Sequence, residues 1–194
     1  MLKEKLQEYN IILGSSSPRR KKLLKELQIK FKVQICHHEE IYSHRLKEKK
    51  VAEFLAQQKS FYLSEKLKKD DLIITADTIV VLKNTILNKP KNQTDAFNIL
   101  TKLSNRTHKV ITGVFIRTVK QNILFSTTTK VTFKKLSNEE INFYINNYKI
   151  KDKAGSYGIQ DWIGKIGVIS IEGSYTNVLG LPLTELYENL KKIK

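Results

Sequence analysis

The chain has 194 residues, of which 40% are hydrophobic and one is cysteine, and its formal net charge is +16. That length allows one substantial core, or two small lobes sharing one, and that apolar content excludes wholesale disorder. The lone Cys36 excludes an intrachain disulfide and fits a reducing cytoplasm; no apolar run approaches the roughly 18 residues of a membrane span, and the opening Met1-Leu2-Lys3-Glu4-Lys5 lacks a signal-peptide core.

In chain order, Ile11-Ile12-Leu13 is a short strand ended by Gly14. Pro18 suits a first helical turn, with Ser17 as N-cap and Leu23, Leu24 and Leu27 at helical spacing. Phe31, Val33 and Ile35 alternate as a second strand, and Lys47 to Leu67 reads as a long helix. Leu72 to Leu82 is the most strand-like stretch; it is apolar on both faces and therefore central. A turn near Asn84 returns the chain as Ile86-Leu87, and Thr94 to Leu103 is helical. Thr107 to Val119 and Ile123 to Lys135 read as long strands joined near Lys120-Gln121-Asn122. Ser137 with Glu140 is a capping-box signature for a helix reaching about Tyr148. Gly155, Gly158, Gly164 and Gly167 break up the next stretch, and a last helix runs from Leu183 to about Ile193. With no repeat, low-complexity tract or linker, the pattern is one α/β domain over residues 1–194.

The positive charge is diffuse. Lys47, Lys49, Lys50, Lys66, Lys68 and Lys69 fall at solvent-facing positions without interleaved aromatics, which favours a generally basic surface over a nucleic-acid footprint.

Three places can carry chemistry. A strand, the small-residue turn Gly14-Ser15-Ser16-Ser17 and a helix starting at Pro18 make an anion site, with Ser15, Arg19 and Arg20 as donors. A capped helix with exposed arginines accounts for the same residues equally well. Asp77 stands inside the apolar run 72–82, where an acid is expensive unless it binds a metal or acts as a base. A strand-ending turn is the competing reading, weakened by the apolar Ile79-Val80-Val81 that follows. In Asp152 to Gln160 the glycines permit close backbone approach, and Gln160 offers a donor and an acceptor for a base edge. A flexible glycine loop is the alternative there. Lys89, before Pro90, is a weaker phosphate candidate, and His108 reads as structural more readily than catalytic. No His/Cys cluster suggests zinc, and no partner set suggests a serine or cysteine nucleophile.

Together these segments resemble the Maf family, also called septum-formation inhibitor proteins, which are nucleoside triphosphate pyrophosphatases. The resemblance rests on Leu13 to Arg20, Ala76-Asp77-Thr78, Asn88-Lys89-Pro90, Thr107 to Gly113, Asp152 to Gln160, Ile171 to Tyr175 and Val178 to Leu183, in order over nearly the whole chain. It implies an α/β fold with a mixed twisted sheet, flanking helices and two lobes around a central cleft, as in Maf and ITPase-like proteins. It implies hydrolysis between the α and β phosphates with Mg²⁺ or Mn²⁺. Asp77 would be the proton acceptor and a metal ligand, with Glu40 as the assisting metal ligand and Glu39 as its alternative. Lys59 and Lys89 match lysines near the phosphates, while Arg20, Thr78 and Gln160 match positions linked to base choice. The Gln-containing block is similar to the branch that prefers dTTP and UTP. Asn88, Lys149-Ile150-Lys151 and Asp161-Trp162 depart from the family pattern, the last at the rim of the base-reading segment. The rival readings are a pyrophosphatase for 7-methyl-GTP or another altered purine, and a non-enzymatic nucleic-acid-binding regulator of cell division. A cytoplasmic homodimer with no membrane partner is the accompanying expectation.

Overall fold

The computed structural model describes residues 2–35, 41–43, 45–65 and 67–194. Its central strand is β3 (Asp71–Leu82), buried at every position except the half-buried Thr78, as a run apolar on both faces requires. Strand β1 (Asn10–Gly14) lies parallel to it, with Leu13 opposite Ile74 and Gly14 opposite Thr75. Strand β2 (Lys32–Val33) runs parallel on the other side of β1. Strand β4 (Thr85–Leu87) returns antiparallel on β3, with Val80 opposite Leu87. With β5 (Thr107–Arg117), β6 (Asn122–Phe133) and β7 (Val168–Glu172), these make a seven-stranded mixed sheet ordered β2-β1-β3-β5-β6-β7. Helices α1 (Leu2–Lys5), α2 (Pro18–Glu26), α3 (Glu48–Leu63), α4 (Gln93–Leu103) and α5 (Asn138–Asn147) precede α6 (Trp162–Gly167), α7 (Tyr175–Leu179) and α8 (Leu183–Leu190).

The chain divides into two compact units. The first comprises Met1–Asp77, Thr112–Thr127 and Gly180–Lys194. In it, α3 turns Val51, Ala52, Leu55 and Ala56 inward. Its backbone lies directly on the sheet: the Thr75 hydroxyl donates to the Ala56 carbonyl at 2.6 Å, and a Cβ at Gly113 would stand 2.6 Å from the Glu53 nitrogen. No flexible side chain lies between them to give way. From α8, Leu186 and Leu190 are fully buried.

The second unit comprises Thr78–Ile111 and Thr128–Leu179. One apolar cluster joins Val80, Leu100, Val110, Val131, Phe133, Ile141 and Ile163. His108 is enclosed there. Its ring stacks on Phe133 at 5.6 Å between centroids, and its Nε2 is 2.8 Å from the Tyr157 hydroxyl. Burial pushes the imidazole down to about 4, and the same burial raises the Tyr157 phenol. His108 is thus a core residue, as its place on an alternating strand suggested. The Ser137 capping box forms on both sides: Glu140 N–H donates to Ser137 Oγ at 3.2 Å, and Ser137 N–H donates to Glu140 Oε2 at 2.9 Å. Lys134, bonded to Glu140 at 2.7 Å, and the Ser137 backbone hold that carboxylate below its usual pKa.

The structure departs from sequence expectation at three places. The helix expected over 47–67 ends at Leu63, where Ser64 takes an extended conformation. The alternation 31–35 produces only a two-residue strand, and Val33 and Ile35 are exposed. The glycine-broken stretch holds more order than its composition suggests. Gly164 sits inside α6 because a Cβ there would run into the backbone of Ile159, and β7 and α7 follow with no pattern to announce them.

Two outcomes are expected from this packing. In the unfolded chain His108 takes up a proton near its ordinary 6.5, whereas the folded ring stays neutral down to about 4. The site therefore costs nothing above the unfolded value, and it weighs increasingly against the folded state as pH falls from there to the folded value. Urea unfolding should show about 1.4 kcal/mol lost per pH unit from this group in that window, and a shallower slope in His108→Gln. Gly113→Ala should destabilise by about 3 kcal/mol or prevent folding, read as the shift in urea midpoint, because the clash is with backbone.

Candidate active site

In the first unit the turn after β1 is built by local hydrogen bonds. Gly14 has no room for a side chain, since a Cβ would lie 2.6 Å from Thr75 Cγ2. Ser17 is the N-cap of α2 in extended conformation, and its hydroxyl accepts from Arg20 N–H at 3.4 Å, with Pro18 opening the helix as expected. Ser17 N–H donates to Ser15 Oγ at 3.2 Å. The Arg20 guanidinium donates from Nε to the Gly180 carbonyl at 2.7 Å and from Nη1 to Ser15 Oγ at 3.4 Å. Residues from opposite ends of the chain thus fix the guanidinium beside the turn. Arg19 stands next to it, half-buried.

The same unit holds the acid. Asp77 is only 5% exposed, and Oδ1 pairs with the Lys59 ammonium from α3. A buried carboxylate without a cation would be strongly unfavourable, and α3 supplies the partner charge for Asp77 inside the apolar strand. Nothing in the spacing of Lys59 and Asp77 announces this pair.

In the second unit, Thr78 is the half-buried member of its strand segment, and Lys89 is exposed before the buried Pro90. Segment 153–160 makes a 3₁₀ turn, Ala154–Ser156, with Gly155 at φ 70°, a conformation that favours glycine. Gln160 follows, its Nε2 donating to Asp161 Oδ1 at 2.9 Å. The Tyr144 hydroxyl donates to Asp161 Oδ2 at 2.7 Å and accepts from Gly158 N–H at 3.1 Å. Lys153, a buried lysine, lies 3.0 Å from Asp152 Oδ1 and 3.8 Å from Asp161 Oδ2. Reading the sequence alone misses Tyr144 and Lys153 as parts of this network. The one available signal is the unusual Asp161-Trp162 after Gln160.

Within the first unit the structure therefore collects Ser15, Arg19 and Arg20 at one turn and joins Lys59 to Asp77. Within the second it ties Gln160 to Asp161. Cys36, Glu39 and Glu40 lie outside the described residues. Among the described residues no group of three or more His, Cys, Asp or Glu side chains gathers into a metal cluster, and no helix is long and apolar enough to cross a membrane.

Comparison with known proteins places this arrangement. The family model described as Maf-like protein matches residues 10–193. A protein of Flavobacterium johnsoniae named dTTP/UTP pyrophosphatase is 49% identical over 190 residues, which cover 98% of this chain and 98% of that one. A protein of Phocaeicola vulgatus with the same name is 51% identical over 191 residues, covering 98% and 99%. The structure of the Staphylococcus aureus Ham1 protein shares the fold, with a TM-score of 0.54 at 16% identity over 94% of this chain and 100% of that one. The family match runs from β1 through α8 and includes the Ser15 turn, Asp77 and Gln160, and on that match the chain belongs to the Maf-like protein family.

Proposed function

We propose that this chain is a nucleoside triphosphate pyrophosphatase that hydrolyses dTTP and UTP to the monophosphate and pyrophosphate, with residues 1–194 acting as one functional domain. The observation that carries the reading is the buried Asp77 carboxylate held by Lys59, on a chain about half identical to relatives named for that activity. A buried carboxylate with an ammonium beside it can take the proton of an attacking water. Lys59, already beside it, would neutralise charge on the triphosphate. The Ser15 hydroxyl, the α2 N-terminus and Arg19 suit phosphate oxygens, and Lys89 would add a further cation. Charge shared between phosphoryl oxygens and leaving pyrophosphate is then met by fixed donors that need little reorganisation. Arg20, Thr78 and Gln160 are assigned to the choice of base.

A divalent cation fits the residues present. Magnesium takes one or two carboxylates and completes its shell with phosphate oxygens and waters, so it asks for no larger cluster than Asp77 with one further acid. Asp77 and Glu40 would hold it. Bound there, Mg²⁺ or Mn²⁺ would neutralise phosphate charge and lower the pKa of a water.

Incubating the protein with dTTP, UTP, CTP and 7-methyl-GTP, and identifying products, tests the reading. Pyrophosphate is expected from dTTP and UTP, and Asp77→Asn should lower that rate by about a thousandfold while the protein stays folded. Orthophosphate as the only product would sink the proposal, and so would full activity in the variant. Preference for 7-methyl-GTP would move the assignment to altered purines. Lys59→Met, which strands the Asp77 carboxylate, should both abolish turnover and lower the unfolding free energy by roughly 3 kcal/mol, measured in urea.

A further inference from the structure

The amide of Gln160 has two chemically opposite ends, and the structure dictates which end is used up. Asp161 presents carboxylate oxygens, which accept and cannot donate when ionised. Oδ1 takes the Gln160 Nε2–H at 2.9 Å, and Oδ2 takes the Tyr144 hydroxyl at 2.7 Å with Lys153 Nζ at 3.8 Å. The backbone is pinned as well: Asp161 N–H donates to the Gly158 carbonyl at 3.0 Å, and the Asp161 carbonyl accepts from Lys165 N–H at 3.1 Å. Gly158 presses on the pair from behind, for a Cβ there would lie 2.5 Å from Asp161 Oδ2 and 2.8 Å from Gln160 Nε2. Turning the amide over would set its carbonyl oxygen against an anionic oxygen.

We propose that Asp161 is a specificity-determining positioning residue, which orients the Gln160 amide so that its carbonyl oxygen Oε1 faces the nucleotide base and selects bases bearing an imide N–H. This rests on the pyrophosphatase reading and on Gln160 contacting the base. Uracil and thymine carry a proton on N3 that Oε1 accepts. Cytosine presents a lone pair at N3, and two acceptors repel. Asp161 thus discriminates between pyrimidines through its neighbour.

Asp161→Asn tests this. Asparagine has one oxygen and one amine. If its oxygen stays on the Tyr144 hydroxyl, its amine faces Gln160 and demands Oε1, turning the glutamine amine toward the base. The ratio of kcat/KM for UTP over CTP should fall by at least about tenfold, the size expected when one hydrogen bond to the base is replaced by two facing donors. In a Gln160→Ala background the same substitution should change that ratio by less than about twofold, since the effect passes through the amide. An unchanged ratio in Asp161→Asn overturns the proposal, as does an equal shift in the Gln160→Ala background. If Asp161→Asn shows no cooperative thermal transition, Asp161→Ser is read the same way and should also lower the ratio. Wild-type protein that makes no pyrophosphate from UTP defeats the enzyme reading. Calorimetric binding of UTP and CTP then judges Asp161 separately, with UTP favoured at least about tenfold in wild type and that preference lost in the variant. Equal binding of the two by wild type overturns it.

Discussion

A carboxylate inside an apolar strand must be met by positive charge, and the first unit is arranged around that need. Asp77 occupies β3 between the buried Ala76 and the half-buried Thr78, and Lys59 reaches it from α3. For the ammonium to arrive, α3 must lie close on the sheet. Gly113 allows this by offering no side chain beneath Ala52, and Thr75 secures it with a hydrogen bond to Ala56. The close packing, the acid and its counter-ion are therefore one constraint. Loosening the helix would leave the carboxylate exposed to water, where it would be an ordinary surface acid. Removing the lysine would leave a buried charge alone.

The second unit answers a different problem, that of holding polar side chains in one orientation. His108 and Tyr157 show the structural form of the solution, a polar contact sealed among aromatic rings. Asp161 shows the form open to use, a carboxylate whose two oxygens are divided between a buried tyrosine and a half-buried glutamine. A group fixed on one side by the core can impose direction on a neighbour at the surface.

Much of this was legible from local pattern. The strand–turn–helix at Gly14 to Arg20, the buried strand through Asp77, the hairpin return at Ile86-Leu87 and the Ser137 capping box each use residues a few positions apart, and each formed. What escaped depends on distance in the chain. Lys59 meets Asp77 across 18 positions, and Asp161 meets Tyr144 across 17, so no periodicity links them. Strand β7 escaped because Ile169 and Ile171 are both exposed and no buried face marks it. Glu40 lies outside the described residues.

The division of the chain also shows which segments each unit needs. The first unit gathers widely separated stretches, and Gly180–Lys194 brings it Leu186 and Leu190 of α8. The unit carrying Gln160 takes its last residue at Leu179. The unit carrying Asp77 depends on the Gly180–Lys194 segment, and so does Arg20, which the Gly180 carbonyl holds. One late stretch thus fills the core with two leucines and anchors a guanidinium, so damage there would reach the Gly14–Arg20 turn as well as the packing.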